Sequence, residues 1–171
     1  MLKTATGKKD KQGIRIFEKA IYDINIQLIQ FAKKGSTQEL KALLENKVNP
    51  NITNKNGFTA LFSAVKKGHI EIVAALLAAK AKPDTMVKGW APLHVAAQYK
   101  NTEIVAALLD AKSDPRITNK NGVTPLEIAM KSKHSGVVEA IESYMVQEKQ
   151  KLSRNTGSSV MLITTKFNSQ A

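Results

Sequence analysis

The sequence predicts an all-α solenoid in which helix-turn-helix units stack through short hairpin loops. Three observations carry that prediction. The heptapeptide EIVAALL occurs at Glu71 to Leu77 and again at Glu103 to Leu109, and ITNKNG occurs at Ile52 to Gly57 and again at Ile117 to Gly122. Gly57, Gly89 and Gly122 each open a matching block, with spacings of 32 and 33 residues, the scale of one supersecondary unit. The 43% apolar content holds only 5% aromatics, so the core rests on Ala, Leu, Ile and Val, which suit closely packed helices. At 171 residues one domain with tails is expected.

The elements follow in chain order. Residues 1–13, MLKTATGKKDKQG, are polar and basic without the apolar run of a signal peptide, and are expected to be flexible. Ile14, Phe17, Ile21, Ile24, Leu28 and Phe31 then recur at alternating spacings of three and four, a helical stripe that reads as an N-terminal capping helix, with a coiled-coil seam as the rival. Leu28, Gly35, Leu40, Leu43 and Leu44 align with the later repeats, so a first unit without a hairpin spans about 14–54. Full repeats follow over about 55–87, 88–119 and 120–144, making 14–144 the repeat domain.

Each block reads as turn, helix, short turn, helix. Pro92 and Pro125 stand at a first helical turn, where a missing N–H leaves nothing unpaired, and Thr59 and Thr124 are suited to cap their helices. Lys67-Gly68, Tyr99-Lys100 and Ser132-Lys133 break the two helices of a unit. Ile72, Val73, Leu76 and Leu77 put one stripe toward a neighbouring unit. Asn-Lys-Asn-Gly at 54–57 and 119–122 supplies turn residues that accept positive φ, and Pro50, Pro83 and Pro115 stop the preceding helices.

These residues resemble the ankyrin repeat, with its period of about 33 and its T-P-L-H-x-A element after a hairpin glycine. Thr124-Pro125-Leu126 and Pro92-Leu93-His94-Val95-Ala96 share that element between them, and Thr59-Ala60-Leu61 keeps its Thr and Leu. The glycine that the family places after the second helix is replaced by Lys47, Lys80 and Lys112, and the junction before Gly89 is one residue short. If those lysines are left-handed, each costs about 1 kcal/mol. Glu139 and Glu142 stand where inner units carry Ala74 and Leu77, as a terminal repeat with a polar outer face requires, so stacking is expected to stop near Tyr144. Residues 145–171 form a polar tail expected to lack structure. Its Val160-Met161-Leu162-Ile163 has strand-like composition, and Ser159 to Phe167 is an alternative linear motif for strand addition.

No cysteine is present, and neither His69, His94 nor His134 has a second ligand at metal spacing; no metal or other cofactor is expected. The resemblance places His69 and His134 at helix starts and His94 where a histidine bonds between repeats. Phosphate-loop, dinucleotide, hydrolase-elbow and zincin motifs do not occur, and the acidic residues are scattered, so the chain reads as a non-enzymatic protein. No stretch is long and apolar enough for a membrane span, and a monomer in the cytoplasm is expected.

The net charge of +12 is spread as +5 over 1–34, +4 over 35–144 and +3 over 145–171. Of 26 basic residues only Arg15, Arg116 and Arg154 are arginine, which argues against base reading and for an acidic protein partner. The resemblance implies binding on a concave face made of hairpin tips and first-helix ends. By alignment that face holds Lys55, Asn56, Phe58, Lys66 and Lys67, then Val87, Lys88, Trp90, Gln98 and Tyr99, then Lys120, Asn121, Val123, Lys131 and Ser132, with Lys33 and Lys34 in the first unit. Trp90, Phe58 and Tyr99 are the expected anchors and the lysines the steering charges. Solvated lysines with hairpin-shielding aromatics are the structural alternative. The functional alternatives are an electrostatic binder of nucleic acid or anionic membrane, and an effector or adaptor delivered into another cell.

Overall fold

The computed structural model describes residues 6–167 as eight helices joined by loops, with no strand among the described residues. Helices α1 (Thr6–Lys34), α3 (Ala60–Lys67), α5 (Pro92–Gln98) and α7 (Pro125–Lys131) pack one on the next as an inner row. Helices α2 (Thr37–Glu45), α4 (Ile70–Ala78), α6 (Thr102–Asp110) and α8 (Ser135–Phe167) form a parallel outer row, each against its own inner helix. The core lies between the rows. Leu28 and Leu40 in the first unit, Leu61 and Leu76 in the second and Leu93 and Leu108 in the third are fully buried, so one aliphatic layer runs along the stack.

Capping follows the sequence closely. Thr59 Oγ1 accepts from the Phe62 N–H at 3.1 Å. Thr124 Oγ1 accepts from the Glu127 N–H while Glu127 Oε2 accepts from the Thr124 N–H at 2.7 Å, a reciprocal capping box. These bonds from Thr124 hold the Glu127 carboxyl below its ordinary range. In α5 the cap residue is Ala91, whose side chain has no acceptor, so only the reverse half of such a box remains: His94 Nδ1 accepts from the Ala91 N–H.

Three positions per unit are left-handed. The inner helices end at Gly35, Gly68, Lys100 and Lys133, the outer ones at Lys47, Lys80 and Lys112, and the hairpins turn at Gly57, Gly89 and Gly122, all with positive φ. Every non-glycine residue with positive φ among those described is a lysine, so the strain anticipated at Lys47, Lys80 and Lys112 is present and recurs at Lys88, Lys100 and Lys133.

The short junction has a geometric cause. Asn54 bonds back to Phe58 across the three residues Lys55-Asn56-Gly57, and Asn119 to Val123 across Lys120-Asn121-Gly122. In the middle hairpin Val87 and Trp90 exchange both backbone bonds across two residues only, Lys88 and Gly89, and both have positive φ, as a two-residue turn matched to strand twist demands. One residue fewer therefore leaves the repeat in register.

Four expectations need correction. Of the N-terminal stripe, Leu28 is buried and Phe31 half-buried, but Ile14 is 56% and Ile24 40% exposed, while the side chains of Phe17 and Ile21 lie outside the described ones; the residues α1 buries are Asn25, Leu28, Ile29 and Ala32, a face rotated from the predicted one. Residues 6–13 are helical rather than flexible, because nothing between Thr6 and Lys34 interrupts a helix once it has nucleated. The tail is helical from 145 to 167, the 159–167 segment included, because no proline follows Pro125 and extending α8 adds a bond per residue without a new nucleus. Contact with the stack also passes Tyr144: Lys112 Nζ lies 5.8 Å from the Tyr144 ring centroid and 3.5 Å from Glu148 Oε1. Residues 1–5 and 168–171 of the two tails lie outside the described residues.

Candidate functional site

The inner face carries two adjoining depressions. The first, of about 190 Å³, is lined by Phe58, Phe62, Lys66, Val87, Lys88, Trp90, Val95, Gln98 and Tyr99. That volume suits a side chain rather than a whole small molecule, for which pockets run to about 300–1,000 Å³. The second lies one repeat earlier, on Ile29, Lys33, Asn54, Asn56, Phe58, Ser63, Lys66 and Lys67. Phe58 and Lys66 belong to both and form the wall between them.

Local packing sets the aromatics. After two of the hairpin glycines the next residue leans on the third residue of the helix that follows: Phe58 meets Phe62 edge-on with centroids 5.7 Å apart, and Trp90 meets His94 likewise at 5.9 Å. Lys88, held over the groove by the two-residue turn, places Nζ 5.4 Å from the Phe58 centroid. Tyr99 ends α5 and is 58% exposed, so it is the aromatic with most surface to offer. Among the described residues neither lining contains a carboxylate, and none stands within ion-pair distance of Lys33, Lys66, Lys67 or Lys88.

The structure thus brings together Phe58, Lys66, Lys88, Trp90, Gln98 and Tyr99 in one depression, and Lys33, Asn56, Phe58, Lys66 and Lys67 in the other. Val87 does not belong to the exposed set: it is 2% exposed, because the tight hairpin folds it under the turn. Lys34, Lys55, Asn121, Lys131 and Ser132 are exposed but line neither depression. Lys120 braces the neighbouring hairpin, its N–H donating to the Gly89 carbonyl at 2.9 Å, and the Val123 carbonyl accepts from His94 Nε2 at 3.0 Å. Sequence reasoning passed over Ile29, Asn54, Phe62, Ser63 and Val95. The signal for Phe62 was its alignment with His94, the residue on which Trp90 rests.

Burial, the largest influence, pushes the His94 imidazole below the ordinary histidine value. Its two ring nitrogens are both engaged, Nδ1 as acceptor from Ala91 and Nε2 as donor to Val123. His134 Nδ1 bonds the Ala97 carbonyl at 2.9 Å, a second bond between units. No cluster of potential metal ligands and no helix long and apolar enough to cross a membrane occurs among the described residues.

Family comparison agrees with this architecture over most of the chain. A family model described as Ankyrin repeats (many copies) matches residues 28–77, and one described as Ankyrin repeats (3 copies) matches residues 80–151. The chain is an ankyrin-repeat protein. Its two matches together take in the last two turns of α1, all inner hairpins and α8 past Tyr144. No curated protein matches the sequence significantly. Ankyrin repeats are in general modules of protein–protein interaction, so protein partners follow for this chain.

Proposed function

We propose that this ankyrin-repeat protein is a non-enzymatic, cytoplasmic binding module that grips an acidic protein segment on its inner face. The observation that supports it is the groove around Phe58, Trp90 and Tyr99, rimmed by Lys66 and Lys88 with no carboxylate in its lining. Aromatic surface beside unpaired ammonium groups favours a partner that supplies apolar and acidic side chains together. Lysines raise the encounter rate, and the desolvated aromatics set the residence time.

The test is affinity capture from lysate, with bound proteins identified by mass spectrometry. Wild type is compared with Lys66→Glu/Lys88→Glu/Tyr99→Ala and with a control, Lys41→Glu/Lys82→Glu, which reverses two exposed lysines outside both linings. A discrete protein kept by wild type and control at moderate salt and lost with the groove variant supports the proposal. Recovery only of nucleic acid or lipid, released by salt and equally weakened in both variants, overturns it in favour of diffuse electrostatic binding.

A further inference from the structure

We infer that the two depressions read one extended segment at two points: an apolar side chain enters the aromatic depression, and a carboxylate three residues away meets the lysine-rich one. This rests on the inner-face reading above and specifies its partner. The depressions sit in neighbouring repeats and share the Phe58–Lys66 wall. Packed helices lie about 8–10 Å apart, and an extended chain advances about 3.3 Å per residue. Three residues therefore carry a segment from one depression to the next.

Their chemistries differ. Phe58, Phe62, Trp90, Val95 and Tyr99 make the first aromatic and aliphatic inside its Lys66 and Lys88 rim, with Gln98 at hand for a main-chain amide, which needs both a donor and an acceptor. The second gathers Lys33, Lys66 and Lys67. Its Asn54 has already committed Oδ1 to the N–H groups of Asn56 and Phe58, at 2.9 and 3.1 Å, so its amide has only donor hydrogens left. Beside Ile29 and Phe58, three ammonium groups and an amide donor with no acidic neighbour in the lining favour a carboxylate at this second point. Lys66 in the shared wall serves both points, which ties the two preferences to one spacing.

The probe is a displayed library of random twelve-residue peptides selected on the full chain, followed by titration of the enriched peptides. Enriched sequences are expected to share an apolar or aromatic residue with Asp or Glu three positions away. Lys33→Glu/Lys67→Glu should weaken them about tenfold, the combined effect of two exposed charge pairs turned repulsive, and replacing the peptide's carboxylate by lysine should restore much of the loss. No enrichment, or apolar consensus without an acid at that spacing, overturns the inference. If the enriched peptides weaken with Tyr99→Ala and ignore Lys33→Glu/Lys67→Glu, the groove stands and two-point reading fails. Indifference to both removes the inner-face reading as well.

Discussion

His94 Nε2 donates to the Val123 carbonyl oxygen at 3.0 Å, joining the third unit to the hairpin of the fourth. On its other side Nδ1 accepts the Ala91 N–H at 3.2 Å, so the ring fastens the residue that precedes α5 and also ties the repeats together. Both bonds require the neutral ring with the proton on Nε2. A second proton on Nδ1 would set two donors against each other in a buried site.

Stability should therefore depend on pH through His94. The unfolded imidazole titrates near 6.5, whereas burial holds the folded one lower. Above pH 6.5 neither state takes the proton and the contribution is complete. Below it the unfolded chain binds a proton that the folded chain resists, so stability declines, at most by about 1.4 kcal/mol per pH unit, until the folded group titrates. Urea unfolding at pH 8, 7, 6 and 5 should show this decline, and His94→Phe should flatten it while lowering stability at pH 8 by about 2 kcal/mol for the orphaned Ala91 and Val123 groups. Equal pH slopes in the two proteins would assign the dependence to other groups.

Lysines at positive φ mark a second testable cost. Replacing Lys47 or Lys80 by glycine relieves about 1–2 kcal/mol of left-handed strain and returns about 0.4–1 kcal/mol through the freer unfolded chain. A net gain of about 0.5–1 kcal/mol is expected for each. Lys112→Gly should gain less, because its ammonium also meets Tyr144 and Glu148. Chemical denaturation of the three single variants checks the order; a gain at Lys112 as large as at Lys80 would show that the α8 contact contributes nothing.

The repeat period made most of this architecture legible, since residues 32 or 33 apart meet the same neighbours. It carried the stacked helix pairs and the Thr59 and Thr124 caps, while the left-handed Lys47, Lys80 and Lys112 and the inter-repeat role of His94 followed from the ankyrin resemblance. Its reach ended where a residue has no counterpart above or below. Ile14 and Ile24 obey helical spacing yet face solvent, because α1 packs only on α2 and α3, and the residues it buries there are Asn25, Leu28, Ile29 and Ala32. In the site, alignment gave Val87 the exposure of Lys55, but the two-residue turn at Lys88-Gly89 buries it. The left-handed Lys100 and Lys133 were legible only through alignment with Gly35 and Gly68.

Gly89 and Gly57 have similar φ, 80° and 75°, and different surroundings. A Cβ on Gly89 would lie 2.6 Å from the Lys120 Cβ, and one on Gly57 would meet nothing within 4 Å. Both alanine variants pay the left-handed penalty, of about 1 kcal/mol. Gly89→Ala should cost about 1–2 kcal/mol more, the range for an overpacked contact, since the bond from Lys120 N–H to the Gly89 carbonyl prevents the hairpins from parting cheaply. Lys120→Gly removes the opposing Cβ, so a double-mutant cycle in urea should show Gly89→Ala becoming milder in that background. Additive costs would mean that the hairpins separate freely.

Trp90 and Tyr99 line the same depression with different obligations. Trp90 is half-buried and rests on His94, so Trp90→Ala should lower stability by about 2 kcal/mol or more, leaving a void beside the inter-repeat tie. Any binding loss in that variant mixes contact with fold. Tyr99 is largely exposed, and Tyr99→Ala should change the unfolding free energy by less than about 0.5 kcal/mol. It should weaken the captured partner by about 1–2 kcal/mol, as truncation of an interface tyrosine does. Calorimetric titration beside urea unfolding of both variants separates the two effects. Unchanged affinity in Tyr99→Ala would leave Trp90 and Phe58 as hairpin supports and move the partner off this groove.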